Sequence, residues 1–192
     1  MAMPTLYIVA GANGSGKTTF ALQFIKRHQL VFINADELAK LINPTDLDKA
    51  KIQAGRFFFK ELEKCLHQKK SFLIESTLSG HYLVKILSKA KDFGYQIHIL
   101  YLYLDDPAIN VQRVAARVLA GGHAVPKPDI LRRFYRSKQL FWHTYREKCD
   151  RWELFYNANE NLQLVSVGTQ SDYEVMDDLL MQSFLKGVQN GG

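Results

Sequence analysis

The eight residues GANGSGKT, at positions 11–18, carry the densest chemistry in this sequence. Gly11, Gly16, Lys17 and Thr18 stand at the spacing G-x-x-x-x-G-K-[ST], which forms a phosphate loop when a strand precedes it and a helix follows. Glycines let successive backbone N–H groups turn inward around phosphate oxygens, and the helix N-terminus adds the positive end of its dipole. Lys17 then reaches the β- and γ-phosphates, and the Thr18 hydroxyl ligates Mg²⁺. The expected nucleotide-binding set is Gly11, Asn13, Gly14, Ser15, Gly16, Lys17, Thr18 and Thr19, joined by Arg113 from the second half of the chain. No N-K-x-D guanine signature is present. ATP is expected rather than GTP.

Two carboxylates follow apolar runs of strand length, Asp36 in "INADE" and Glu75 in "LIEST". In open α/β sheets ligands sit outside the carboxyl ends of the strands, so both acids are expected beside the phosphate loop. Transfer of a phosphoryl group to a hydroxyl needs a carboxylate that orients and deprotonates the acceptor, and Asp36 is the first choice. The same residue would also serve as the N-cap of a helix from Glu37. Glu75 suits either a Mg²⁺-bound water or the acceptor, with the Ser76 and Thr77 hydroxyls at the same edge, or in the N-cap region of the next helix.

Cations come from the second half. Arg113 and Arg117, four apart, share one helix face. Beyond the break "GGHAVPKP" stand Arg132, Arg133 and Arg136. A helix, a glycine hinge and a second helix with arginines on both sides is how a lid over phosphates would be built. His123 is expected to hold the lid by a hydrogen bond, since no second metal ligand lies at suitable spacing. Residues 127–151 hold eight basic residues against three acidic ones, much of the net charge of +6.

The elements that would position these groups alternate. Strands are expected at 5–10, 30–34, 71–76 and 95–104. Helices are expected at 16–28, near 37–42, at 46–68, 81–93, 106–119 and 129–149. Two further strands, "ELFYN" and "LQLVSVG", precede a last helix near 173–185. This pattern predicts an α/β P-loop NTPase/kinase fold: a mainly parallel sheet with helices on both faces and a helical lid at about 106–149. The 192 residues read as a single domain, residues 1–192. No apolar run of ~18 residues suggests a membrane span. Cys65 and Cys149 match no metal pattern and no disulfide framework, which suits a cytoplasmic protein. The "RFFF" run, Trp142 and Trp152 are expected in the core or in helix seams.

Taken in order, "GANGSGKTT", "NADE", "ESTLSG", "LYLDDP", "RVAARVLAGGHAVP" and "RRFYRS" resemble the zeta-toxin-like P-loop kinases, closest to their short single-domain members. The resemblance implies an ATP- and Mg²⁺-dependent kinase whose better-known relatives phosphorylate UDP-N-acetylglucosamine. It further implies Asp36 as base, Arg117 with either Arg132 or Arg133 as lid arginines, and Glu75 near the acceptor. A small-molecule hydroxyl acceptor, a nucleotide sugar among the candidates, and an antitoxin protein are the partners it suggests. Two other functions fit the residues: an ATP-dependent switch with a protein partner, and a polynucleotide-type kinase using the basic 127–151 segment. Nucleic acid is the less expected partner.

Overall fold

The apolar run TLYIVA becomes strand β1 (Thr5–Ala10), the axis of a seven-stranded sheet. The computed structural model describes residues 3–35, 38, 47–158, 161–170 and 172–190. The expected helix near 37–42 lies outside the described residues, apart from the single helical position Leu38. Strands β3 (Phe72–Ser76) and β4 (Gln96–Tyr103) pair with β1 on its two sides, both parallel. Outside them lie β2 (Val31–Ile33), parallel to β3, and β5 (Arg151–Tyr156), parallel to β4. Two antiparallel strands, β6 (Gln163–Gly168) and β7 (Tyr173–Val175), complete the order β2-β3-β1-β4-β5-β6-β7.

Successive strand residues point to opposite faces, so each central strand supplies two cores. Leu6, Ile8, Phe72, Ile74, Ile97, Ile99 and Tyr101 face the helices α2 (Leu47–Gln68), α3 (Tyr82–Asp92) and α6 (Asp178–Gln189). Val9, Leu73, Leu100 and Leu102 face α1 (Lys17–His28), through Ala21, Phe20 and Phe24. Two-sided burial is why these strands read as continuous apolar runs. Chain order moves from β1 out to β2 and β3, then crosses back over β1 to β4. That reversal opens a crevice at the carboxyl ends of β1, β3 and β4, where the phosphate loop emerges.

Helices α4 (Pro107–Leu119) and α5 (Lys127–Leu140) occupy the segment expected as a lid. Asp106 caps α4, its carboxylate accepting from the Ala108 N–H at 2.8 Å, with Pro107 in the first turn. The glycine break is a helix stop of defined geometry. The Gly121 N–H donates to Val118 O and the Gly122 N–H to Arg117 O, both at 2.9 Å, with Gly121 at φ 82°. This Schellman arrangement satisfies the last carbonyls of α4. A Cβ on Gly122 would fall 2.8 Å from Arg117 O, so the chain closes tightly over that residue. α5 is no loose flap, because Ile130, Phe134, Ser137 and Lys138 bury one stripe of it.

Two expectations are corrected. The helix expected over 129–149 ends at Leu140 and continues as a π-helical turn, Phe141–Tyr145, then a 3-10 turn, Arg146–Lys148. The wider turn keeps Phe141, Tyr145 and Cys149 all buried, with Phe141 stacked on Tyr101 at 4.3 Å. The helix expected from 173 starts at Asp178. "YEV" is the edge strand β7, an aromatic and β-branched triplet, and Asp177 caps the helix by accepting from Leu180 N–H. Of the "RFFF" phenylalanines only Phe58 is buried, while Phe57 and Phe59 are about half exposed. Trp152 is buried and packs edge-on against Trp142. Cys65 and Cys149 are both buried and free.

One charged cluster lies away from the crevice. His98 on β4 holds Glu153 on β5, Nε2 to Oε1 at 3.2 Å, and Arg151 Nη2 reaches the same oxygen at 3.1 Å. His98 first, then Arg151, holds the Glu153 carboxyl below its usual range. A folded value below the unfolded one gives stability that is complete above the ordinary carboxylate pKa and lost as pH falls through the lowered one. Glu153→Gln is therefore expected to flatten the acid limb of the stability curve, read by urea unfolding from about pH 6 to 3. An unchanged limb would remove the pair from the acid response.

Candidate functional site

Gly11, Gly14 and Gly16 have φ of 138°, 81° and 92°, values that side-chain-bearing residues rarely adopt. A Cβ on Gly11 would sit 2.1 Å from Leu102 O, so the phosphate loop leaves β1 in contact with the β4 backbone. Gly11→Ala is expected to cost ~2–3 kcal/mol of unfolding free energy, measured by denaturant titration, from strain and overlap together. A cost below ~0.5 kcal/mol would mean that the loop backbone shifts without penalty. Gly16 turns the chain into α1, whose first residues Lys17 and Thr18 face the crevice. The Lys17 ammonium is buried and donates to Ala12 O at 2.8 Å.

Across the crevice stands Glu75, near the end of β3. The Thr18 hydroxyl donates to its carboxylate, 3.0 Å from Oε1 and 3.1 Å from Oε2, and Asn34 Nδ2 donates to Oε2 at 3.1 Å. Parallel pairing sets this meeting, since Val9 of β1 is in register with Glu75. The hydroxyl and carboxylate are hard oxygen donors of the kind Mg²⁺ takes. Asp36 lies outside the described residues.

The loop after β3 is fixed from the lid side. Ser137 Oγ donates to Thr77 O at 2.5 Å, and the Tyr145 hydroxyl donates to Gly80 O. Thr77 Oγ1 pairs with Ser79 Oγ at 2.8 Å, and Ser76 Oγ with the Tyr82 hydroxyl at 3.0 Å. Neither Ser76 nor Thr77 caps α3, whose N-cap is His81. Residues 77–80 form a hydroxyl-bearing lip tied to Ser137 and Tyr145.

The arginines divide by partner. Arg133 Nη1 reaches Asn13 Oδ1 in the phosphate loop at 3.2 Å. Arg132 pairs instead with Asp129 at 2.8 Å on the exposed side of α5. Arg117 Nη2 donates to His123 O at 2.8 Å, so the histidine holds the lid turn through its carbonyl. Arg113 donates to Asn157 O at 2.9 Å and to Ala158 O, bracing the loop after β5. The basic 127–151 segment does not present a single face: Lys138 is buried, Arg146 lies 4.0 Å over the Trp142 ring, and Arg151 pairs with Glu153.

Three asparagines at the site were not singled out by the sequence reading: Asn34 on Glu75, Asn110 and Asn157. Asn110 Nδ2 donates to Asn13 O at 2.6 Å, and Asn157 Nδ2 to Ser15 O at 2.8 Å. Asn34 and Asn157 directly follow β2 and β5, the strand-end position that drew attention to Asp36. Asn110, inside α4, carries no such signal.

A mainly parallel sheet with helices on both faces, a phosphate loop at its crevice and helices packed over the crevice defines a P-loop kinase fold. Within it, this chain belongs to the zeta toxin family, which matches residues 2–164. An uncharacterized protein of Haemophilus influenzae is 35% identical over 125 residues, 65% of this chain and 88% of that one. The fold is similar to a chain of the AvrRxo1-ORF1:-ORF2 complex solved with ATP, at TM-score 0.74 and 15% identity, covering 95% of this chain and 64% of that one. This chain thus spans less than two thirds of that protein's length. It is also similar to the PezAT toxin–antitoxin system of Streptococcus pneumoniae, at TM-score 0.67 and 15% identity, covering 98% of this chain and 87% of that one. Among the described residues no helix is long and apolar enough to cross a membrane.

Proposed function

We propose that this protein is an ATP- and Mg²⁺-dependent phosphotransferase that moves the γ-phosphate to a hydroxyl group of a small molecule. The observation that carries the reading is the Thr18–Glu75–Asn34 cluster facing the phosphate loop, with Arg133 reaching the same loop from α5. Mg²⁺ would be held by the Thr18 hydroxyl, with Glu75 holding a metal-bound water. Bound there, the metal neutralises charge as the phosphoryl group transfers. The loop N–H groups and Lys17 would hold the triphosphate, and Arg133, which reaches Asn13 in the loop, would offset charge developing on the γ-phosphate. Asp36, three residues past β2, takes the acceptor proton. Thr77 lines the acceptor side, where Glu75 would stand if it does not serve the metal, and Arg117 and Arg132 are lid cations able to re-pair when anion arrives. A nucleotide sugar is the acceptor class that family membership favours, and the ATP-bound complex similar in fold supports the donor. The paired proteins of that complex and of PezAT support an antitoxin partner. A cytoplasmic protein is the reading that the two buried, free cysteines support.

The test is labelled ATP incubated with protein and a small-molecule extract, followed by separation of the products. A phosphorylated metabolite formed by the wild type and lost in Lys17→Ala is the expected outcome. Label appearing only as free phosphate, together with an ATP-dependent protein partner, would favour a nucleotide switch and overturn the kinase.

A further inference from the structure

Two peptide planes of the phosphate loop are held by side chains from outside it. Asn110 on α4 donates its Nδ2 to Asn13 O, and Asn157 after β5 donates its Nδ2 to Ser15 O. In a trans peptide the carbonyl and the following N–H point in opposite directions. Pinning Asn13 O outward therefore turns the Gly14 N–H inward, and pinning Ser15 O does the same for the Gly16 N–H. Positive φ favours glycine at both positions, and the contacts are close: a Cβ on Gly14 would meet the Asn110 backbone O at 2.6 Å, and one on Gly16 would displace Asn157 Nδ2, 2.2 Å away.

We propose that Asn110 and Asn157 are positioning residues that aim the Gly14 and Gly16 amides at the outer phosphates of a bound nucleotide, and that Arg113 acts through Asn157. The inference rests on the nucleotide reading above. Each donor is itself firmly placed. The Asn157 N–H extends the β4–β5 pairing by donating to Tyr103 O at 3.0 Å, while the Arg113 guanidinium holds Asn157 O and Ala158 O. Asn110 is fully buried, and its Oδ1 has no partner among the described residues. An orphaned buried acceptor is a cost that an apolar side chain would avoid, so the donor is what this position supplies. An anion cradle built from aimed N–H groups gains most when those groups need no reorganisation on binding.

The test is calorimetric titration of ATP, ADP and AMP, each with Mg²⁺, into wild type, Asn157→Ala, Asn157→Asp and Arg113→Lys. Asn157 is only half buried, so its variants should fold, and unliganded melting temperatures check this. Asn157→Ala is expected to weaken ATP and ADP by ~10-fold and AMP by less than ~2-fold, because AMP lacks the outer phosphates. Asn157→Asp turns the donor into an acceptor and should lose more, and Arg113→Lys should lose in the same nucleotide order as Asn157→Ala. Equal weakening of all three nucleotides would mean a structural role alone and would overturn the inference. So would ATP binding within ~2-fold of wild type in both Asn157 variants. Wild type that binds no nucleotide would sink the nucleotide reading itself, and this inference with it.

Discussion

An Asp36→Asn variant is expected to lose phosphoryl transfer by ~10²- to 10⁴-fold, the contribution of a positioned general base, while binding ATP as the wild type does. The carboxamide keeps the shape of the carboxylate but cannot take the acceptor proton, so the deficit should appear in kcat and not in ATP affinity. Glu75→Gln should fail differently. Its carboxylate takes the Thr18 hydroxyl and the Asn34 amide, so neutralising it removes charge from the side of the site proposed to hold Mg²⁺. The expected result is a loss of ~10²-fold or more that higher Mg²⁺ partly restores, whereas Asp36→Asn stays inactive at any Mg²⁺. A rate measured against Mg²⁺ for both variants separates the roles. Transfer surviving in Asp36→Asn would move the base elsewhere, with Glu75 next in line. An Mg²⁺-independent defect in Glu75→Gln would place Glu75 on the acceptor.

Strong local patterns made much of this site legible. The phosphate loop is fixed by covalent spacing and by the conformational freedom of Gly11, Gly14 and Gly16, so eight letters imply its shape. Glu75 was reachable by a fold-level rule, since the carboxyl ends of parallel strands converge on one crevice. Its partner Asn34 was not, because an asparagine at a strand end is chemically quiet until a carboxylate is seen opposite it. The arginines show the limit most clearly. Arg132 and Arg133 are adjacent letters, yet the rotation of roughly 100° between neighbours on α5 sends the first to Asp129 and the second to Asn13. Helical phase decides that, and the phase depends on which stripe of α5 the core accepts. The edge strand β7 was missed for a related reason. Tyr173–Val175 is too short to show a period, and only its pairing with β6 makes it a strand.

Lys138 is one of the eight basic residues of the 127–151 segment, and its burial predicts a large pH effect. It is 2% exposed, donates to Leu104 O at 2.8 Å and lies 3.9 Å over the Phe134 ring. Burial away from water, opposed weakly by Asp105, pushes the ammonium down from an ordinary 10.5 to about 7. The gap corresponds to at most about 5 kcal/mol of differential stability between the two protonation states. The folded value lies below the unfolded one, so the unfolded chain binds more protons between them, and stability rises with pH across that window. Lys138→Met keeps the volume and removes the proton site. The stability of wild type minus that of Lys138→Met is therefore expected to rise by ~2–3 kcal/mol from pH 7 to 9, about 5–10 °C in relative Tm. Taking the difference matters, because burial also pushes the Cys149 thiol and the Tyr95 hydroxyl up to about 12. Those groups lower stability at alkaline pH in both proteins and cancel. A difference that stays flat across the window would show that Lys138 keeps its charge when buried, held by Leu104 O and the Phe134 ring. The consequence reaches the site, because α5 carries Lys138, the Ser137 that holds Thr77, and the Arg133 that reaches Asn13. An ammonium that is costly to bury at neutral pH would leave α5 less firmly seated there than at pH 9.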